Sequence, residues 1–247
     1  MELIFHEDIA LQLITDQLSG CECKGDCLCE EKCWCLSRCG SAYNKHGLLT
    51  RFEMPVFECN SNCLCDDTTC SNHVVQRHLS SFTSSSNSCI SRESSISGRG
   101  VFATRMIQKG ELVCIYLGEV IPNEVACLRE VKQKLRYGRN YILHLRSYSA
   151  GKLVSETCID GDAVLPSGSK ALARLINHSC SPNIDVIPVY VDNMVPYAAM
   201  FAKLPIHVDS ELTYDYANCV PADHIQTSAT ACLCRSDACR GYLPAVQ

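Results

Sequence analysis

Eleven cysteines fall within fifty residues, seven in "CECKGDCLCEEKCWCLSRC" (21–39) and four in "CNSNCLCDDTTC" (59–70). With so little apolar sequence between them, this stretch cannot build an ordinary hydrophobic core and must be held by its sulfurs. Two chemistries could do that. Disulfides belong to oxidising compartments, whereas zinc offers four tetrahedral positions that C-x-C and C-x₂₋₄-C spacings fill well. The N-terminus, "MELIFHEDIALQLITDQLSG", has no basic leader and carries Glu2, Glu7, Asp8 and Asp16, and no apolar run of membrane-spanning length occurs. The expectation is a reducing intracellular setting without membrane insertion, in which the clustered cysteines bind zinc and metal binding drives folding.

The rest of the chain divides by texture. "SSFTSSSNSCISRESSIS" (80–97) is serine-rich and reads as a flexible linker. From Gly98 onward come short β-like runs, "GVFATRMI", "ELVCIYLGEVI", "NYILHLR", "IDVIPVYV" and "YAAMFAKLPI", separated by turn signals. One helix is expected over Asn123 to Tyr137, with Val125, Leu128, Val131 and Leu135 on one face. The expected plan is an N-terminal segment (1–20), a zinc-cluster domain (21–79), the linker (80–97), a mostly β catalytic domain with few helices (98–219), and a small second zinc module with the tail (220–247). The net charge of −5 argues against a phosphate-binding surface and sequence-specific nucleic-acid binding, and fits a basic partner.

The cysteine layout resembles the pre-SET domain of Su(var)-class histone-lysine methyltransferases. That resemblance implies a triangular three-zinc cluster on Cys21, Cys23, Cys27, Cys33, Cys35, Cys59, Cys63, Cys65 and Cys70, with Cys29 as an alternative to Cys27 and Cys39 surplus. Three tetrahedral zincs have twelve positions, which nine thiolates fill if three sulfurs bridge. "RLINHSCSPN" (174–183) is very like the SET signature R-F-x-N-H-S-C-x-P-N, and "ELTYDYA" (211–217) is like its partner, the two forming a pseudoknot in SET folds. "CLCRSDAC" resembles a post-SET motif with three ligands, Cys232, Cys234 and Cys239, to which Cys180 adds the fourth. Within the class, "IPVYVDNMVPYAAMFA" is most similar to the SET half of SET–mariner transposase fusions.

The family implies S-adenosylmethionine as cofactor, with Asn177, His178 and Arg174 around it and Tyr141 close by. "SGRGVFA" (97–103) corresponds to the family's G-W-G stretch, so Gly98, Arg99 and Gly100 meet the cofactor largely through backbone, with Arg99 in place of the usual tryptophan. Gly98, Gly100 and Ala103 also satisfy a dinucleotide-binding pattern, but a serine-rich stretch precedes them and strand and turn follow, which excludes that reading. Tyr216 matches the tyrosine at the transferring methyl, and Tyr214 a position where a hydroxyl leaves less room for added methyls, which implies mono- and dimethylation. The expected substrate is the histone H3 tail on nucleosomes, lysine 9 before lysine 36, in the nucleus. The alternative is a SET module that has lost catalysis and serves as a chromatin scaffold.

Overall fold

The computed structural model describes all residues except 1–2, 30–32, 54, 82–87, 150–151, 169, 218–219, 221–225 and 246–247. The first described residues already belong to the main body. β1 (Ile4–Phe5) pairs in parallel with Glu119 and Val120, Leu3 and Leu18 are buried, and the Leu18 amide donates to the Asp192 carbonyl at 2.8 Å. The short helix α1 (Leu11–Thr15) between them leaves Leu11 and Leu13 exposed.

The cysteine-rich stretch follows, with α2 (Trp34–Cys39), β2 (Val56–Phe57) and α3 (Val74–Ser81). Its core is made of sulfur: eight cysteines are buried against one another, with Cys63 packed beside them. At the start of α3 the Val74 and Val75 amides donate to the buried Glu58 carboxylate at 2.9 and 2.8 Å, and the Tyr43 hydroxyl adds a third bond at 2.8 Å. An anion at a helix N-terminus is favoured there, which lets Glu58 join the sulfur core to α3.

The β-rich part comprises β3 (Cys89–Glu93), β4 (Arg99–Ala103), β5 (Leu112–Tyr116), β6 (Glu119–Ile121), the helix α4 (Asn123–Tyr137), β7 (Ile142–Ser149), β8 (Lys152–Asp160), β9 (Asn177–His178), β10 (Ile184–Tyr190), β11 (Tyr197–Ala202), β12 (Glu211–Tyr214), β13 (Gln226–Ala231) and β14 (Tyr242–Ala245). Three four-stranded sheets run in the orders β1-β6-β8-β7, β2-β10-β11-β5 and β3-β4-β12-β9, and β13 pairs with β14. Each β-like run of the sequence supplies at least one strand. β10 and β11 are almost wholly buried, which explains their near-continuous apolar character. Pro188 is tolerated in β10 because β2 pairs only from Val189 onward. Among the described residues no helix is long and apolar enough to cross a membrane.

Two sequence expectations meet a different structure. Within the serine-rich stretch, residues 89–93 form β3, paired with β4 from Cys89↔Ala103 to Glu93↔Arg99. β3 is an edge strand with a mostly exposed face, where polar residues serve as well as apolar ones, so composition hid it. The residues 82–87 of the expected linker lie outside the described residues.

The second difference concerns α4. Its limits agree with the periodicity, but Leu128, Val131 and Leu135 are 64, 59 and 84% exposed. The helix docks instead through polar groups. Arg129 Nη1 donates to Glu119 Oε2 (2.6 Å) and Asp160 Oδ2 (2.8 Å), and Gln133 Nε2 to Asp160 Oδ1 (2.9 Å). Apolar contact is limited to Ala126 and Val125 against Ile121, Ile142 and Cys158.

This docking predicts that Leu135→Ala shifts unfolding free energy by no more than about 0.5 kcal/mol, against about 2–5 kcal/mol for a core leucine. Gly118→Ala should cost about 1–3 kcal/mol, because a Cβ there runs into the Asp160 carbonyl. Urea unfolding followed by circular dichroism measures both.

Candidate active site and metal centres

"RLINHSCSPN" is too interrupted for regular structure of its own. A 3₁₀ turn over Leu172–Leu175 ends at Ile176, the two residues of β9 follow, and Pro182 precedes β10. The segment is held by its partner across the chain: β9 runs parallel to β12, Asn177 opposite Thr213 and His178 opposite Tyr214. Two asparagines lock this register. Asn177 Nδ2 donates to Glu211 Oε1 at 2.8 Å and lies 3.2 Å from the Ser97 carbonyl. Asn183 Nδ2 donates to the Glu211 carbonyl at 2.8 Å, while its Oδ1 accepts from the Thr213 amide at 2.9 Å.

His178 is buried, and burial lowers its imidazole pKa to about 4, so the ring is neutral. Nδ1 accepts from the Tyr216 amide at 3.1 Å, which leaves the proton on Nε2, 3.2 Å from Cys180 Sγ. The same ring meets Tyr216 edge-on, centroids 5.2 Å apart. His178 therefore links the backbone of one tyrosine to the sulfur of Cys180.

These elements enclose a cavity of about 540 Å³. Arg99, Tyr141, Arg174, Asn177, His178, Tyr214 and Tyr216 all line it, which brings together most of the residues singled out by sequence. The Tyr216 hydroxyl donates to the Ile176 carbonyl at 3.1 Å, and its ring lies 4.8 Å from that of Tyr214. Arg174 stacks over Tyr141 at 4.7 Å, and its Nε is buried without a hydrogen-bond partner among the described residues. Burial pushes the phenols of Tyr116, Tyr214 and Tyr216 well above their ordinary range, so none ionises near neutrality.

Gly98 and Gly100 flank Arg99. Gly98 takes a φ of +52°, and a Cβ at Gly100 would collide with the Glu211 carboxylate. The Arg99 side chain is engaged with Ser91, Nε to Oγ at 2.9 Å, while its carbonyl lies 3.4 Å from Asn177 Nδ2.

Sequence reasoning passed over three contributors. Tyr116 lines the cavity and donates to the Tyr141 carbonyl at 2.7 Å, yet within "CIYLGEVI" it looks like any strand tyrosine. Glu211 anchors Asn177 and also accepts from Ser94 Oγ at 2.7 Å. Arg240, next to Cys239, pairs with Asp215 at 2.6 Å and so ties the tail to the "TYDY" segment. Only a fold shows these partners, since each lies far away in the chain.

The sulfurs form two centres. Cys180, Cys232, Cys234 and Cys239 place their Sγ atoms within 4.8 Å of one another. In the first centre the quartets Cys21–Cys59–Cys63–Cys65, Cys21–Cys33–Cys35–Cys59, Cys21–Cys23–Cys27–Cys33 and Cys27–Cys59–Cys65–Cys70 meet the same limit. Together they use all nine expected cysteines, and overlapping quartets are what bridging sulfurs require. Cys27 is among them, the Cys29 side chain lies outside the described residues, and Cys39 belongs to none of these four. Burial pushes the Cys23 thiol up to about 12, a cost that a divalent cation removes by taking the sulfur as thiolate. An all-sulfur tetrahedral donor set fits zinc. Cys239→Ser should therefore lose one zinc equivalent relative to the unaltered protein by elemental analysis and leave the remainder bound.

The pre-SET motif matches residues 2–73 and the SET domain residues 98–217. The probable histone-lysine N-methyltransferase set-23 of Caenorhabditis briggsae is 34% identical, over 93% of this chain and 88% of its own. The crystal structure of the methyltransferase domain of human histone-lysine N-methyltransferase SETMAR superposes with a TM-score of 0.75 at 30% identity, covering 99% of this chain and 90% of that one. KRYPTONITE in complex with mCHH DNA, an H3(1–15) peptide and SAH superposes with a TM-score of 0.73 at 26% identity, over 98% of this chain and 46% of that one. With both motifs matched in order and a relative of nearly equal extent, the chain belongs to the pre-SET and SET domain family of Su(var)3-9-type histone-lysine N-methyltransferases.

Proposed function

We propose that this chain transfers methyl groups from S-adenosylmethionine to a lysine of the histone H3 tail, lysine 9 in preference to lysine 36, and adds mainly one or two. The observation that carries the reading is the convergence of Tyr216, Tyr214 and the Ile176 carbonyl on one cavity that Asn177, His178 and Arg174 also line. An H3(1–15) peptide accompanies SAH in the KRYPTONITE complex, and such a peptide includes position 9 but not position 36. That supports lysine 9. The domain limits proposed are 21–79 for the pre-SET cluster with three zincs, 98–219 for the SET domain and 220–247 for the post-SET module with one. The site of action proposed is nuclear chromatin.

The cofactor would be held by Arg174, Asn177, His178, Tyr141 and the Gly98–Arg99–Gly100 backbone. When bound, it supplies an electrophilic methyl group on a sulfonium, so the protein's task is alignment and exclusion of water. The Ile176 carbonyl and the Tyr216 hydroxyl lie 3.1 Å apart, positioned to accept from and orient an incoming amine. That amine must be neutral to react. Glu130 is the sole carboxylate lining the cavity among the described residues, and it already accepts from Asn140 and lies 3.2 Å from His144 Nε2. The lysine proton therefore leaves to water, not to a dedicated base.

Three outcomes follow from these assignments. The transfer rate should rise with pH from 7 toward the lysine pKa of about 10, since only the neutral amine attacks and the raised tyrosine pKa values impose no falling limb below that. Tyr216→Phe should lower the rate by about a hundredfold or more while cofactor binding persists. Tyr214→Phe should shift the products toward trimethyl-lysine. Labelled cofactor, recombinant nucleosomes and mass spectrometry of histone H3 test all three. Cofactor binding without transfer to any histone lysine would refute the enzymatic reading and leave the scaffold role.

A further inference from the structure

α4 faces the solvent with its leucines and the sheet with Gln133, a neutral polar side chain only 8% exposed. Both ends of its amide are engaged. Oε1 accepts from the backbone N–H of Tyr141 at 2.8 Å, and Nε2 donates to Asp160 Oδ1 at 2.9 Å. One orientation of the amide satisfies both, because an N–H needs an acceptor and a carboxylate needs a donor. The Tyr141 carbonyl is held from two other directions, by the Tyr116 hydroxyl at 2.7 Å and the Gly161 amide at 2.9 Å. The backbone of Tyr141 is thus clamped on both sides just before β7 begins. Its ring is left to the cavity, under the Arg174 guanidinium.

We propose that Gln133 is a positioning residue for cofactor binding: it fixes the height of Tyr141 in the cavity by holding its N–H from α4, while Tyr116 and Gly161 hold its C=O. The inference rests on the reading of this cavity as the cofactor site. The hydrogen bond to Tyr141 sets the active-site geometry, and the one to Asp160 docks the helix. Asp160 shares that second task with Arg129, which reaches its other oxygen at 2.8 Å. The bond is part-buried, and an N–H there that loses its acceptor bears much of its desolvation cost, so Tyr141 would move rather than stay unpaired.

The two bonds can be separated by substitution. Gln133→Met keeps the length and removes both. Gln133→Glu keeps an acceptor for Tyr141 and places a carboxylate against Asp160, which loosens the helix. The measurements are S-adenosylmethionine affinity by calorimetry, KM for the cofactor, kcat, and the thermal midpoint, on the full chain loaded with zinc. Gln133→Met is expected to weaken cofactor affinity about tenfold and to raise KM more than it lowers kcat. Gln133→Glu is expected to stay within about threefold of the unaltered affinity although its thermal midpoint falls. In a Tyr141→Ala background, Gln133→Met should add little further loss of affinity.

A merely structural glutamine would reverse the ranking, with Gln133→Glu the more damaging to affinity, and that result overturns the proposal. Gln133→Met binding at the unaltered affinity overturns it too. If Gln133→Met does not fold, Gln133→Glu alone decides: folded and binding supports the clamp, folded and non-binding refutes it. Unaltered protein that binds no S-adenosylmethionine would instead bring down the assignment of the cavity, and this inference with it.

Discussion

Four residue positions carry much of the architecture: Asn177 and His178 of β9 lying parallel to Thr213 and Tyr214 of β12. The pairing is too short to persist alone, and parallel pairs gain little per residue. It survives because Asn177 and Asn183 bind Glu211 from two sides and His178 binds the Tyr216 amide. Through it the cavity acquires two walls from distant parts of the chain, and Cys180 comes within reach of the tail, 3.8 Å from Cys232 Sγ. The rare chain threading of this family is thus stabilised by the side-chain amides of a buried Asn177 and a half-buried Asn183.

The sulfur clusters and the β body solve the same problem by different means. The β body buries long aliphatic runs such as β10 and β11, whereas the pre-SET stretch has sulfur as its interior. Glu58 joins the two, its carboxylate receiving the N-terminus of α3 and the Tyr43 hydroxyl, while Tyr43 packs in the main core. A region that would be disordered by composition is thereby fastened to the catalytic body. Residues 3–20 add a second fastening, through β1 on β6 and through the Leu18 carbonyl, which accepts from Asn60 at 3.3 Å.

How much of this was legible in the sequence depended on whether a residue's meaning was local. Ligand spacing is local, so the chain alone marked the clustered cysteines as candidate metal ligands. The choice of nine in the first centre and four in the second came from the resemblance to the pre-SET and post-SET motifs, with Cys29 left open beside Cys27. The resemblance also pointed to Arg99, Tyr141, Arg174, Asn177, His178, Tyr214 and Tyr216, all of which line the cavity, five of them in the two short runs 174–183 and 211–217. Tyr116, Glu211 and Arg240 were not singled out, since each matters through a partner that only folding brings near. α4 is the instructive case: the 3.6-residue period located it correctly, yet its apolar stripe faces outward while Arg129 and Gln133 face the sheet. Periodicity reports that a helix has two faces; which of them is inward depends on the charges waiting on Glu119 and Asp160.

The cavity draws its lining from residues as far apart as Ile96 and Pro244, three residues before the last. The β9–β12 pair also requires the chain as far as Tyr214, and the Cys180 centre the final cysteines, before they can close. During synthesis, then, the eleven clustered cysteines emerge before any of the SET domain, whereas β2 and Tyr43 find their partners in the main body only later. The cavity cannot be complete until nearly the last residue has emerged, because its walls come from non-local parts of the chain. A chain truncated anywhere before Cys239 would lack one of the four sulfurs gathered at the tail and part of the cavity wall, so premature termination yields a sulfur-rich fragment without a closed chamber.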